Sequence, residues 1–430
     1  MRQVPSAEAR PSASTSAGGA AAPAAPRFAW LDALRGLAAL LVVFQHVGPD
    51  LLPRQAAFIH QRLDLGIFGV FLFFLISGYI VPASLERRGD VREFWLGRIF
   101  RIYPLYLAVI VAALLAMPRD HSGIAVAAFS HPFVNTVGNG LLLQFVTGGT
   151  NALSVAWTLC FEMVFYFAVS ALFVMGWHRR SGPVAVAFAA VAVVAGGVLP
   201  TDLLSRTEAD TRLLVGAVAV LVAGAMAGVL TGRLSAVRAG AVLLGVLGVA
   251  LILVDSASQG FESMMIPATM FAGTAVHRAE KGQISRLQAG LCCALVFLAG
   301  VVSSTLYNRG SALSLTWTAS WHAWCCAFVA AWAVFGLGFL LRRRAFPSPL
   351  SWLGKISYAT YLIHVPMLIA MEWAFSSLHR HPHGSWQGLG CLAGFVGVLL
   401  LLGYGAHRLI ELPGQKLGRR VLRGVATVPA

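Results

Sequence analysis

Apolar residues run along this chain in stretches close to 20 residues long, near 31–49, 65–84, 99–117, 154–177, 183–200, 212–231, 236–254, 262–277, 288–306, 318–341, 354–374 and 388–410. A helix rising about 1.5 Å per residue needs about that length to cross a hydrocarbon core. The stretches are rich in Leu, Val, Ala, Phe and Gly and lack the in-out alternation of a barrel strand, so each is predicted helical. The fold class that follows is all-α, a polytopic transmembrane helical bundle of about twelve spans. The eighth stretch is short and contains Pro267, which leaves a kinked or re-entrant helix as the alternative there.

Composition agrees with lipid as the solvent: 58% of the 430 residues are hydrophobic and 11% are charged, against about 45–50% and 25% in soluble domains. The net charge of +15 raises the question of nucleic acid. Its Lys and Arg are scattered over short loops instead of forming one patch, so no nucleic-acid partner is expected. They fall in every second loop: Arg87, Arg88, Arg92 and Arg98; Arg179 and Arg180; Arg233 and Arg238; Arg278, Lys281 and Arg286; Arg342 to Arg344; then Arg408, Lys416, Arg419 and Arg420. The positive-inside rule makes that side cytoplasmic, with both termini on it, in a multi-pass protein of the cell membrane.

Three regions follow. Residues 1–26, dominated by Ala, Pro, Ser and Gly, are expected as a disordered cytoplasmic tail. Residues 27–412 form the membrane domain, and 413–430 a short basic cytoplasmic tail. The six cysteines all lie in apolar stretches and resemble neither a disulfide framework nor a metal site. His379, His381 and His383 alternate in an outer loop and are expected to be solvated; no metal or bound cofactor is expected.

Ionisable groups within the spans are costly in lipid and are therefore the candidates for chemistry. The first span places Arg35 about one turn from its cytoplasmic end and His46 toward the other, about 16 Å along the helix. A neutral imidazole there can act as a general base or simply bond a neighbouring carbonyl. Glu162 lies among aromatics in the fourth span and must pair or stay protonated, either charging a catalytic imidazole or meeting an arginine. Arg98 and Arg101 share one face of the third span, suited to phosphate oxygens or to anionic lipid. In the eleventh span Ser357, Tyr361 and His364 fall on one polar stripe, which faces a cavity or an interhelical bond network and not lipid. The Ser77-Gly78-Tyr79 segment either joins such a network or lets helices approach.

Taken together, Arg35 followed eleven residues on by His46, Arg98-x-x-Arg101 before Tyr103-Pro104, Trp157-Thr158-Leu159-x-x-Glu162, and Gly354-Lys355-Ile356-Ser357-Tyr358-x-x-Tyr361-Leu362-x-His364 resemble the acyltransferase-3 family in order and spacing. The resemblance spans nearly the whole chain after the tail. Thr158 stands where the family often has Ser, which keeps the hydroxyl. Some members carry an extracytoplasmic hydrolase-like domain, and none is expected here.

The resemblance implies transfer of an acyl group, commonly acetyl, from acyl-coenzyme A to a hydroxyl of a carbohydrate, glycolipid or small-molecule acceptor. It implies His46 as general base with Glu162 supporting the imidazolium, or an acyl-His46 intermediate. Arg35, Arg98 and Arg101 would hold the donor, and Trp157, Thr158, Ser357, Tyr358, Tyr361 and His364 would line the substrate cavity. A transporter or flippase of a lipid-linked glycan shares the spans and the polar stripe but leaves the arginines beside a membrane-embedded His and Glu unexplained.

The predicted topology is checked by reporter fusions. A fluorescent protein placed after Arg344 should fold and fluoresce, and alkaline phosphatase placed in the loop 376–386 should be active; the reverse pattern refutes the orientation.

Overall fold

The computed structural model describes residues 29–116, 130–316, 318, 320–378, 382 and 384–426, and among them there is no strand. The helices are α1 Ala29–Leu51, α2 Pro53–His60, α3 Leu65–Arg88, α4 Val91–Ala116, α5 Pro132–Leu141, α6 Trp157–Val174, α7 Ser181–Ala195, α8 Glu208–Leu230, α9 Leu234–Val254, α10 Gly260–Glu280, α11 Arg286–Tyr307, α12 Trp321–Leu341, α13 Ser348–Leu378, α14 Ser385–Ala406 and α15 Leu412–Ala426. Every apolar stretch read from the sequence is one of these helices. His379, His381 and His383 lie outside the described residues, as does the expected N-terminal tail.

Among the described residues, ten helices are long and apolar enough to cross a membrane: α1, α3, α4, α6, α8, α9, α11, α12, α13 and α14. The expected count of about twelve is reached only with α7, which has 15 residues, and α10, which is more polar. α10 is buried at every position from Gly260 to Ala275, Pro267 included. A helix surrounded by protein need not be apolar to suit lipid, so hydropathy alone under-reads it. Three helices lie outside the predicted spans: α2, α5 and the basic α15, which rests on α4 at Phe100 and Pro104.

α10 is bound to its neighbours by a buried ion pair. Arg278, 1% exposed, pairs with Glu86 of α3 and also donates to Ser181 Oγ at 3.0 Å and Gln283 Oε1 at 2.8 Å. Removing either partner would strand a charge in the interior. At the other end of α3, Asp64 caps the helix by accepting from Ile67 N at 2.7 Å, and His60 Nδ1 stands 3.1 Å from its second oxygen.

Close crossings set the helix positions. A Cβ on Gly78 would lie 1.8 Å from the Met270 carbonyl oxygen, so α3 and α10 meet backbone to backbone; the residues flanking Gly78 reach elsewhere, Ser77 to Glu162 and Tyr79 to Glu280. A Cβ on Gly354 would lie 1.8 Å from the Asp32 carbonyl oxygen, which seats α13 against α1 at the turn that carries Arg35. Small residues take these positions because in lipid, helix association depends on close van der Waals approach. The six cysteines are free, from Cys160 and Cys292 in the interior to Cys326 on the exposed surface of α12.

Gly354→Leu should cost at least the roughly 1–3 kcal/mol of an overpacked core, read as a lower melting temperature in detergent; an unchanged value would refute the crossing. The hydrogen bond to Asp64 raises the pKa of His60 from its ordinary imidazole value. Because the folded value lies above the unfolded one, the stabilisation is complete below the unfolded value and lost as pH rises through the folded one. Wild type should therefore lose its melting-temperature advantage over His60→Gln as pH is raised above neutrality, and a constant difference would count against the pair.

Candidate functional site

Where α1, α3, α4, α6 and α13 converge, they enclose a cavity of about 100 Å³. Its polar lining is Arg35 of α1, Ser77 of α3, Arg101 of α4, Thr158, Glu162 and Tyr166 of α6, and Ser357, Tyr358 and Tyr361 of α13, with Val70, Phe73, Phe74, Ile102 and Leu159 as the apolar wall. Residues brought from five helices thus face one space. The Gly354 crossing is what allows α13 to bring Ser357 and Tyr358 to the level of Arg35.

The basic end is built from Arg35 and Arg101. Arg35 is held loosely by Asp32 one turn earlier, at 3.7 Å, and 20% of its side chain is exposed. Both guanidiniums face the cavity with donors to spare, the arrangement that suits phosphate or carboxylate oxygens. Arg98 departs from the expected pairing. It is buried, does not line the cavity, and lies over the rings of Phe94 and Tyr166 at 5.1 and 5.0 Å. The i, i+3 spacing that puts Arg98 and Arg101 on one face of α4 therefore does not make them a fork on one ligand.

Glu162 accepts from Tyr166 OH at 2.5 Å and from Ser77 Oγ at 3.4 Å. Tyr166 is thereby fixed at both ends, its ring under Arg98 and its hydroxyl on Glu162. Sequence reasoning passed over Tyr166; its place one turn after Glu162 on the same helix face was the available signal.

Beyond Glu162 the polar line continues along α13. Tyr361 OH and Thr158 Oγ1 are 2.8 Å apart and both reach the Val155 carbonyl, at 3.2 and 2.9 Å. Tyr358 OH donates to the Ile102 carbonyl at 2.8 Å, tying α13 to α4, and Ser357 Oγ donates to Gly354 O at 2.8 Å within its own helix. Trp157 does not line the cavity; it packs between Phe145 and Phe161 at the start of α6.

His46 and His364 meet past Tyr361, outside the cavity lining. The Tyr361 and His364 rings are 6.0 Å apart and the two imidazoles 5.1 Å apart. His364 Nε2 is 3.3 Å from His46 Nδ1, which is also 2.9 Å from the Val42 carbonyl oxygen. The expectation that Glu162 supports the His46 imidazole needs correcting: the carboxylate bonds Tyr166 and Ser77, and the side chain at His46 is His364. Glu162 lines the cavity from α6, and Tyr166, one of its two hydroxyl partners, lies under Arg98. Among the described residues no group of three or more His, Cys, Asp or Glu is placed to hold a metal ion.

Comparison with known proteins gives a consistent result. The family described as "Acyltransferase domain" matches residues 28–254 and 256–404. Acyltransferase MdmB of Streptomyces mycarofaciens is 27% identical over 165 residues, 34% of this chain and 38% of that protein. Nodulation protein 10 of Rhizobium leguminosarum bv. viciae is 30% identical over 179 residues, 37% of this chain and 48% of that protein. The chain thus matches less than half the length of each of these curated relatives. No solved structure matches. With the family's domain covering almost all of the helical bundle, including every residue of the polar line from Arg35 to His364, the chain belongs to the acyltransferase-3 family.

Proposed function

We propose that the protein is a membrane acyltransferase that moves an acyl group, acetyl in the first instance, from acyl-coenzyme A to a hydroxyl of a carbohydrate, glycolipid or related small-molecule acceptor. The observation that carries this reading is the single line of polar groups inside the bundle, two cavity-facing arginines at one end and an imidazole pair at the other. Arg35 and Arg101 suit the phosphates of coenzyme A entering from the cytoplasm, on which side both termini lie. Arg98 acts through Tyr166, keeping its hydroxyl on Glu162, and Glu162 in turn balances the guanidinium charge around it.

In this reading His46 is the general base. Its imidazole takes the proton from the acceptor hydroxyl as that oxygen attacks the thioester carbonyl carbon; the carbon–sulfur bond then breaks, and coenzyme A leaves as a thiolate that is protonated. Holding donor and acceptor on one track replaces a bimolecular encounter by an oriented one. Acyl transfer first onto His46 and then onto the acceptor uses the same residues in two steps.

The test is acyl transfer and thioester hydrolysis from radiolabelled acetyl-coenzyme A in membranes holding equal amounts of wild type and His46→Ala. The variant should lose roughly 10²–10⁴-fold, the contribution of a positioned base. Arg35→Ala and Arg101→Ala should raise KM for the donor about 10-fold or more, the worth of a hydrogen bond to a charged group. Equal activity in wild type and His46→Ala, or none above empty membranes with several donors and acceptor extracts, would favour a transporter.

A further inference from the structure

The geometry assigns His364 a role of its own: we infer that it is a positioning residue that orients the His46 imidazole and supports its Nδ1–H as the ring takes up a proton. The inference rests on the proposed function and adds to it the partner of the base.

A carbonyl oxygen can only accept a hydrogen bond, so the 2.9 Å contact from His46 Nδ1 to the Val42 carbonyl requires the proton on Nδ1. The neutral imidazole then carries its lone pair on Nε2, the nitrogen left for a substrate proton. His364 Nε2 lies 3.3 Å from the same Nδ1. With a proton already on His46 Nδ1, the His364 nitrogen facing it must offer its lone pair, which places the His364 proton on Nδ1. That atom lies beside the Thr360 and Tyr361 carbonyls of its own helix, without a hydrogen bond of good geometry. The Val42 carbonyl fixes the His46 tautomer by itself, and His364 adds a second acceptor at the same Nδ1–H.

The alternative tautomer, with the proton on His46 Nε2, would set the Nδ1 lone pair against the Val42 carbonyl oxygen. When His46 takes a proton on Nε2, its Nδ1–H becomes the donor of a charged group, and an acceptor nitrogen facing it strengthens that bond. The carboxylate of a hydrolytic triad acts on its histidine through the same nitrogen. Here a neutral imidazole stands in that position, which avoids a second charge in the spans. His364 is 1% exposed and is fixed by packing against Tyr361, so it offers its lone pair in one direction only.

The experiment compares His364→Phe, which keeps bulk but removes the acceptor, with His364→Gln, whose carbonyl oxygen can accept from His46 Nδ1–H. Each is also combined with His46→Ala, and all are scored as correctly folded by detergent gel filtration. His364→Phe should lower kcat about 10- to 100-fold, part of what a positioned base supplies, with KM for acetyl-coenzyme A unchanged. His364→Gln should recover most of that loss, and His364→Phe should cost nothing further once His46 is Ala. Equal losses in Phe and Gln, a change confined to KM, or a full additional loss in the double variant would overturn the inference while leaving His46 as base. Full activity in His46→Ala would instead refute the proposed function itself.

Discussion

Lipid offers no hydrogen bond to a charged side chain, and the whole arrangement of this protein follows from that constraint. Arg35, Arg101, Glu162, Tyr166, Thr158, Tyr361, His364 and His46 cannot be distributed over separate helix faces without each meeting hydrocarbon. They are instead gathered onto one line inside the bundle, where the hydroxyls of Tyr166, Ser77, Thr158 and Tyr361 give bonding partners to groups that would otherwise be stranded. The arginines not spent on protein partners face the cavity, where a ligand can complete them.

Bringing five helices to one cavity requires backbones to approach closely, and the glycines at the crossings allow it. Gly354 lets α13 touch α1 beside Arg35, and Gly78 lets α3 touch α10 so that Ser77 reaches Glu162. α10 is buried from Gly260 to Ala275 and holds its polar residues there against protein, anchored by Arg278 and Glu86. Site and scaffold are thus one structure: the contacts that pack the helices also orient the groups between them.

Legibility in the sequence was uneven for physical reasons. Span length, helix type and the i, i+3 and i, i+4 faces are local properties, and they led to every helix that crosses the bundle and to Ser357, Tyr361 and His364 as one stripe. Hydropathy ranks a helix by its fitness for lipid, so it under-reads α10, and it does not mark α2, α5 or α15, which are short or amphipathic. Arg98 and Arg101 share a face by spacing, yet the aromatic rings of Phe94 and Tyr166 separate their tasks.

The sequence by itself determined that this is a helical membrane protein and which ionisable residues its spans contain, because hydrophobic length and helical period act over a few turns of chain. It also determined that Arg35 and His46 stand at opposite ends of one helix. Only the tertiary structure decided who meets whom: Glu162 with Tyr166 and Ser77, and His46 with His364, 318 residues away. A side chain on a helix chooses its partner through the rotation and depth of a neighbouring helix. Those are set by backbone crossings such as Gly354 on Asp32, which no local pattern encodes.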